Sequence, residues 1–178
     1  MRLGSRWLVI PGLIAIAGSA AMLSAYAGAS SSAGNSPVQP VKFPHQLHAG
    51  GNLKINCLYC HYTANKSPDP GLPAVGTCMG CHTVIRTDKP EVQKLAAFWN
   101  KKQPVPWVRI HKIPEYVHFP HMRHVNAGVT CQTCHGDVQN MAQVYQKNSL
   151  NMGWCVNCHV GRSNPPLKAR YDCAVCHY

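Results

Sequence analysis

The chain has 178 residues, ten cysteines and eleven histidines, with 17 Lys plus Arg against 6 Asp plus Glu for a formal net charge of +11. Much of its apolar content lies near the N-terminus, so the remainder is too poor in large apolar residues to bury a sizeable core unaided. No basic run with interleaved aromatics supports nucleic-acid binding, and this many cysteines in a small chain points to disulfides or metal chemistry.

The first predicted element is an apolar run from Trp7 to Ala27, preceded by Arg2 and Arg6. Its length of about 20 residues fits one membrane span, and basic residues before it would hold that end in the cytoplasm. A cleaved signal peptide is the alternative, since Ala25 and Ala27 offer a small-x-small pattern. The expectation is an N-terminal transmembrane helix over residues 1–27, a single-pass anchor in the cytoplasmic membrane, with the rest periplasmic. Residues 28–42, rich in Ser, Gly and Pro, read as a linker.

A first module is predicted over residues 43–103. It opens with Phe43-Pro44-His45-x-x-His48, followed by a Gly-containing turn and the motif Cys57-x-x-Cys60-His61; a second motif, Cys78-x-x-Cys81-His82, comes next. The spacing of Val92, Leu95, Ala96 and Trp99 predicts a helix over Pro90–Lys102, with Pro90 in its first turn.

A second module is predicted over residues 104–178. Pro104–His111 reads as extended, and Phe119-Pro120-His121-x-x-His124 repeats the opening of the first module before Cys131-x-x-Cys134-His135. A helix is predicted over Asp137–Asn148, then the motifs Cys155-x-x-Cys158-His159 and Cys173-x-x-Cys176-His177. Pro and Gly total 28, which predicts little regular secondary structure beyond short helices around a haem core.

Five Cys-x-x-Cys-His units consume every cysteine. That pattern attaches haem c: each cysteine adds to a vinyl group, and the histidine becomes the proximal iron ligand. A thioredoxin-like site gains nothing from five histidines at one offset, and five motifs do not pair evenly into zinc sites. Five haems would bring about ten propionates, which answer much of the basic excess. His61, His82, His135, His159 and His177 are then proximal ligands. Among the six remaining histidines, His45, His48, His111, His121 and His124 are the predicted distal ligands, the second of each repeat pair serving a different haem from the first. His118 is the alternative to His111, and Met152 a further candidate. Filled axial positions argue for a non-catalytic electron carrier over an enzyme that binds substrate at iron.

The Phe-x-His-x-x-His element before a haem motif resembles the class III multihaem cytochromes. Pro104–His124, "CMGCH" and "NMGWCVNCH" are similar to the membrane-anchored pentahaem subunit of bacterial alternative complex III. That resemblance favours His111 over His118 as a ligand. It implies an electron-transfer subunit of a quinol:acceptor oxidoreductase, beside a polytopic quinol-binding subunit, an iron–sulfur subunit and another cytochrome c. A soluble cytochrome, copper protein or oxidase would be the acceptor. The competing readings are a small membrane-anchored quinol dehydrogenase feeding a periplasmic reductase, or a free periplasmic multihaem carrier.

Overall fold

The computed structural model describes residues 14–20, 22, 32–162, 166 and 168–178. Its helices follow from the motifs. Two cysteines at i and i+3 face one side of the backbone when the segment is helical. The helices are α1 (His45–His48), α2 (Cys57–Cys60), α3 (Val75–His82), α4 (Pro90–Asn100), α5 (His121–Asn126), α6 (Cys131–His135), α7 (Met152–His159) and α8 (Cys173–Cys176). Each motif therefore has its own helical turn. Asn56 and Asn151 cap α2 and α7, their side chains accepting the backbone N–H of Leu58 and Trp154, both at 2.8 Å.

This helix-rich architecture corrects the expectation of little regular secondary structure. The described prolines fall at helix starts or in connectors: Pro90 is in the first turn of α4, while Pro44 and Pro120 are the N-caps of α1 and α5. Sheet is confined, among the described residues, to one antiparallel bridge between Val160 and Lys168.

The expected membrane-spanning helix is also corrected. Among the described residues no helix is long and apolar enough to cross a membrane. Of that segment the structure describes residues 14–20 and 22, which are helical. The remainder of the expected anchor lies outside the described residues. The cytoplasmic-membrane location built on that helix is withdrawn with it.

Pro90–Asn100 forms as the apolar spacing requires, with Glu91 accepting from Lys94 Nζ at 2.8 Å and from the Lys42 backbone N–H at 2.7 Å. Asp137–Asn148 does not form an α-helix; it contains one 3₁₀ turn, Val138–Asn140. Its backbone groups are engaged elsewhere: the Gln146 N–H donates to Asn35 O at 2.9 Å, and Val144 O accepts from Ser36 Oγ at 3.1 Å. The Pro104–His111 segment forms neither helix nor strand: the Trp107 N–H turns back to Val105 O at 2.9 Å, and the Gln39 side-chain amide accepts from Val108 N–H and donates to Val108 O, each at 2.9 Å.

The apolar core is small. Val41, Met79, Leu95 and Val105 are buried, with Val75, Ala96, Phe98 and Trp107 packed against them. Gly76 in α3 lies under the Trp99 ring of α4, where a Cβ would stand 3.2 Å from the indole.

The two repeats dock on each other reciprocally. In α1 the Gln46 N–H donates to Met141 O, just after the third motif, and Gly50 lies so close to the Gln139 carbonyl that a Cβ could not fit. In α5 the His121 N–H donates to Pro68 O at 3.0 Å and the Met122 N–H to Ser67 O at 3.2 Å, just after the first motif. Asn126 Nδ2 adds a bond to Asn65 O at 3.1 Å. Each histidine helix thus leans on the loop that follows the other repeat's motif.

Candidate functional site: histidine pairs and a file of thiol pairs

None of the ten cysteines is in a disulfide. Burial raises the pKa of Cys60, Cys78, Cys131 and Cys155, and pushes Cys134 up to about 11. A redox dithiol needs the opposite shift, toward the thiolate.

Four of the five motif histidines share one arrangement. The Nδ1–H of His61 donates to Gly71 O at 2.9 Å, that of His82 to Ile85 O at 3.0 Å, that of His159 to Arg170 O at 2.5 Å and that of His177 to Tyr116 O at 3.0 Å. His135 differs: its Nδ1 faces His111 Nε2 at 3.1 Å. Fixing Nδ1 orients the ring and leaves Nε2 to bind metal.

The repeat histidines lie opposite them. A metal–nitrogen distance of roughly 2 Å on each side, plus the ring radii, separates two imidazoles on one iron by about 6 Å between centroids. His48 and His82 stand 6.1 Å apart, His121 and His135 6.3 Å, and His124 and His159 6.0 Å. His45 has His61 and then His48 as its electrostatic neighbours; burial, the larger cause, lowers its pKa to about 4. The histidines of each repeat therefore face different motifs: α1 spans the first and second, α5 the third and fourth.

One phenylalanine holds each pair. Phe43 stacks on His48 at 4.3 Å and meets His45 edge-on at 4.8 Å; Phe119 stacks on His124 at 4.2 Å and meets His121 edge-on at 4.9 Å. The Nδ1–H of His48 donates to Pro44 O at 3.2 Å, that of His124 to Pro120 O at 3.1 Å and that of His121 to Pro68 O at 2.9 Å.

The thiols form a file. Cys78 of the second motif neighbours Cys60 of the first, and Cys57 of the first neighbours Cys131 of the third. Cys134 of the third neighbours Cys158 and Cys155 of the fourth, and Cys155 neighbours Cys176 of the fifth. Electrostatic neighbours thus link the second motif to the first, the first to the third, the third to the fourth and the fourth to the fifth.

His111 and His118 go to different places. His111 lies against the third motif. His118 lies against the fifth, its backbone N–H donating to Cys176 O at 2.8 Å and its ring stacking on Tyr178 at 4.3 Å. Met152 is exposed in the first turn of α7. Spacing gave no sign of Gln146, whose side chain is fully buried, because it falls within a segment with helical periodicity.

These residues fit c-type haem. Paired thiols one turn apart match two vinyl groups, and opposed imidazoles at about 6 Å match the two faces of one iron. Among the described residues no three His, Cys, Asp or Glu side chains form a metal-holding group; opposed pairs are the arrangement found. The His45 Nδ1 atom is buried without a hydrogen-bond partner in the protein, and all ten motif cysteines are exposed or half-buried. The group would supply one-electron chemistry, with the histidines orienting it and the thiols anchoring it.

Residues 23–112, half of the chain, match the model of the class III cytochrome c family, and residues 117–178 match that of cytochrome c7 and related cytochromes c. The chain belongs to the class III cytochrome c family and is a multihaem cytochrome c that transfers electrons. It is 26% identical, over 78% of its own length and 76% of the relative's, to the multihaem cytochrome c subunit of the menaquinone reductase of Nitratidesulfovibrio vulgaris (strain Hildenborough). This relationship corrects the likeness to the anchored pentahaem subunit of alternative complex III. The haem motifs and the Phe-Pro-His-x-x-His element mark the class of cytochrome, and they do not distinguish one quinone-linked assembly from another.

Proposed function

We propose that the chain is the non-catalytic electron-carrying subunit of a menaquinone-linked redox complex, relaying electrons through five c-type haems ordered second, first, third, fourth, fifth. The observation that carries this reading is the continuous file of neighbouring thiol pairs, with each repeat's histidines straddling consecutive members. Haems bound in that file would be near neighbours, so an electron could enter at one end and leave at the other.

Each motif's cysteines hold one haem: Cys57 and Cys60, Cys78 and Cys81, Cys131 and Cys134, Cys155 and Cys158, and Cys173 and Cys176. The proposed axial pairs are His61 with His45, His82 with His48, His135 with His121, and His159 with His124. His177 holds the fifth iron, and His118 is the remaining histidine beside it. With both faces of the first four irons occupied, substrate has no place there, and chemistry at the quinone belongs to a partner. The partners expected from sequence, a quinone-binding subunit, an iron–sulfur subunit and a second cytochrome c, belong to this proposal, as does a soluble cytochrome or copper protein as exchange partner.

The test is gentle isolation of the native protein, identification of co-purifying subunits by mass spectrometry, and addition of menaquinol under anaerobic conditions. Co-purification with a quinone-reactive subunit and reduction of the haem α-band is the expected result. A chain that comes alone and stays oxidised defeats the complex assignment in favour of a free carrier.

A further inference from the structure

The third motif sits at the middle of the file, and its histidine alone among the five directs Nδ1 at a side chain. That side chain, His111, is held from both flanks. Asn35 Nδ2 donates to Ile110 O at 2.6 Å, and the Lys112 N–H donates to Gln146 Oε1 at 3.0 Å. Gln146 and Asn35 are themselves tied together, the Gln146 N–H donating to Asn35 O at 2.9 Å and the Gly34 N–H to Gln146 O at 2.7 Å. Gln146 Nε2 reaches Asn148 O at 3.0 Å and Ser149 O at 3.3 Å, so this fully buried amide is satisfied at both ends. A satisfied buried amide network fixes geometry that an apolar contact would leave loose.

We propose that His111 is a positioning residue for the central haem, accepting the Nδ1–H of His135, and that the Gln146–Asn35 clamp holds it there. The rings meet nearly perpendicular, at 86°, with centroids 4.3 Å apart; this is closer than two imidazoles sharing one iron can stand. An acceptor at Nδ1–H makes the ligand more basic and favours the oxidised iron. At the other proximal histidines a backbone carbonyl fills that role and no side-chain substitution removes it. At His135 a side chain fills it, so the central potential is open to adjustment by one residue.

This inference rests on His135 being a haem ligand, so the haem content of the third-motif peptide is determined first; a bare peptide defeats that reading and the inference with it. In the five-haem holoprotein, His111→Leu is expected to leave the number of low-spin ferric haems unchanged by electron paramagnetic resonance. It should raise the reduced-to-oxidised ratio of one haem about fivefold at fixed solution potential, the weight of one lost hydrogen bond. His111→Gln, which restores an acceptor, should return most of the shift. Gln146→Leu should move the same haem in the same direction by less. A new high-spin ferric signal in His111→Leu would show that His111 ligates iron and overturn the proposal. Unmoved potentials in both His111 variants, with the haem present, would overturn it equally while leaving the haem assignment intact.

Discussion

The two Phe-Pro-His-x-x-His segments build nearly the same ring cluster in different surroundings. The phenylalanine stacks on the second histidine at 4.3 and 4.2 Å and meets the first at 4.8 and 4.9 Å. The second histidine in each case donates back to the proline four residues earlier. Beyond that the repeats diverge. His121 has Pro68 O for its Nδ1–H, whereas His45 Nδ1 is buried without a hydrogen-bond partner. The turn after α1 presses Gly50 on the Gln139 carbonyl, while Gly128 after α5 has open space around it. The six-residue element thus sets the fork of imidazoles locally, and long-range docking decides what each fork faces.

The largest effect should come from removing a haem's anchors on either side of this comparison. Cys57→Ala with Cys60→Ala, or Cys131→Ala with Cys134→Ala, should each cost one haem by the pyridine haemochrome assay. Both motifs lie at the contact between the repeats, so accumulation of folded protein should fall as well. Loss of the fifth motif's cysteines should cost one haem with less damage to the rest, because it ends the file.

Ligand removal should separate the two members of each fork. His48→Ala should convert the second haem, and His124→Ala the fourth, from low spin to high spin. His45→Ala and His121→Ala should do the same to the first and third. Magnetic circular dichroism counts the converted haems; a variant that converts two at once would break the one-histidine, one-haem pairing.

Glycine substitutions sharpen the difference in docking. Gly50→Ala places a Cβ 2.1 Å from a backbone oxygen, so the repeats must separate; a loss of about 1–3 kcal/mol or more is expected. Gly128→Ala meets no atom within 4 Å and is strained only by its φ of +82°, at about 1 kcal/mol. Thermal unfolding of the two variants side by side reads the difference. Smaller still, Phe43→Leu and Phe119→Leu should each cost about 0.5–1.5 kcal/mol of ring contact, by matching amounts if the clusters are equivalent.

Much of the site is legible in the sequence because covalent chemistry writes it there. Haem attachment requires cysteine, two intervening residues, cysteine and histidine in that order, and the helical turn follows from the spacing. The repeat announced itself through Phe43 and Phe119 with their histidines. What was not legible depends on distant partners. Asp137–Asn148 has helical periodicity, yet Asn35 engages the Gln146 N–H and Ser36 the Val144 carbonyl, and no local pattern reports that competition. His111 and His118 are equally spaced candidates in the sequence; only the fold sends one to the third motif and the other to the fifth. The apolar N-terminal run matches a span by length and composition, yet among the described residues no helix is long and apolar enough to cross a membrane.

Intact-protein mass spectrometry of the denatured holoprotein tests the five-haem file most directly, since thioether bonds survive unfolding. The account predicts a single species with the mass of the chain plus five haems and no thiol open to alkylation. A smaller number of haems, or any Cys-x-x-Cys pair that alkylates, would contradict it and break the file at the motif left bare.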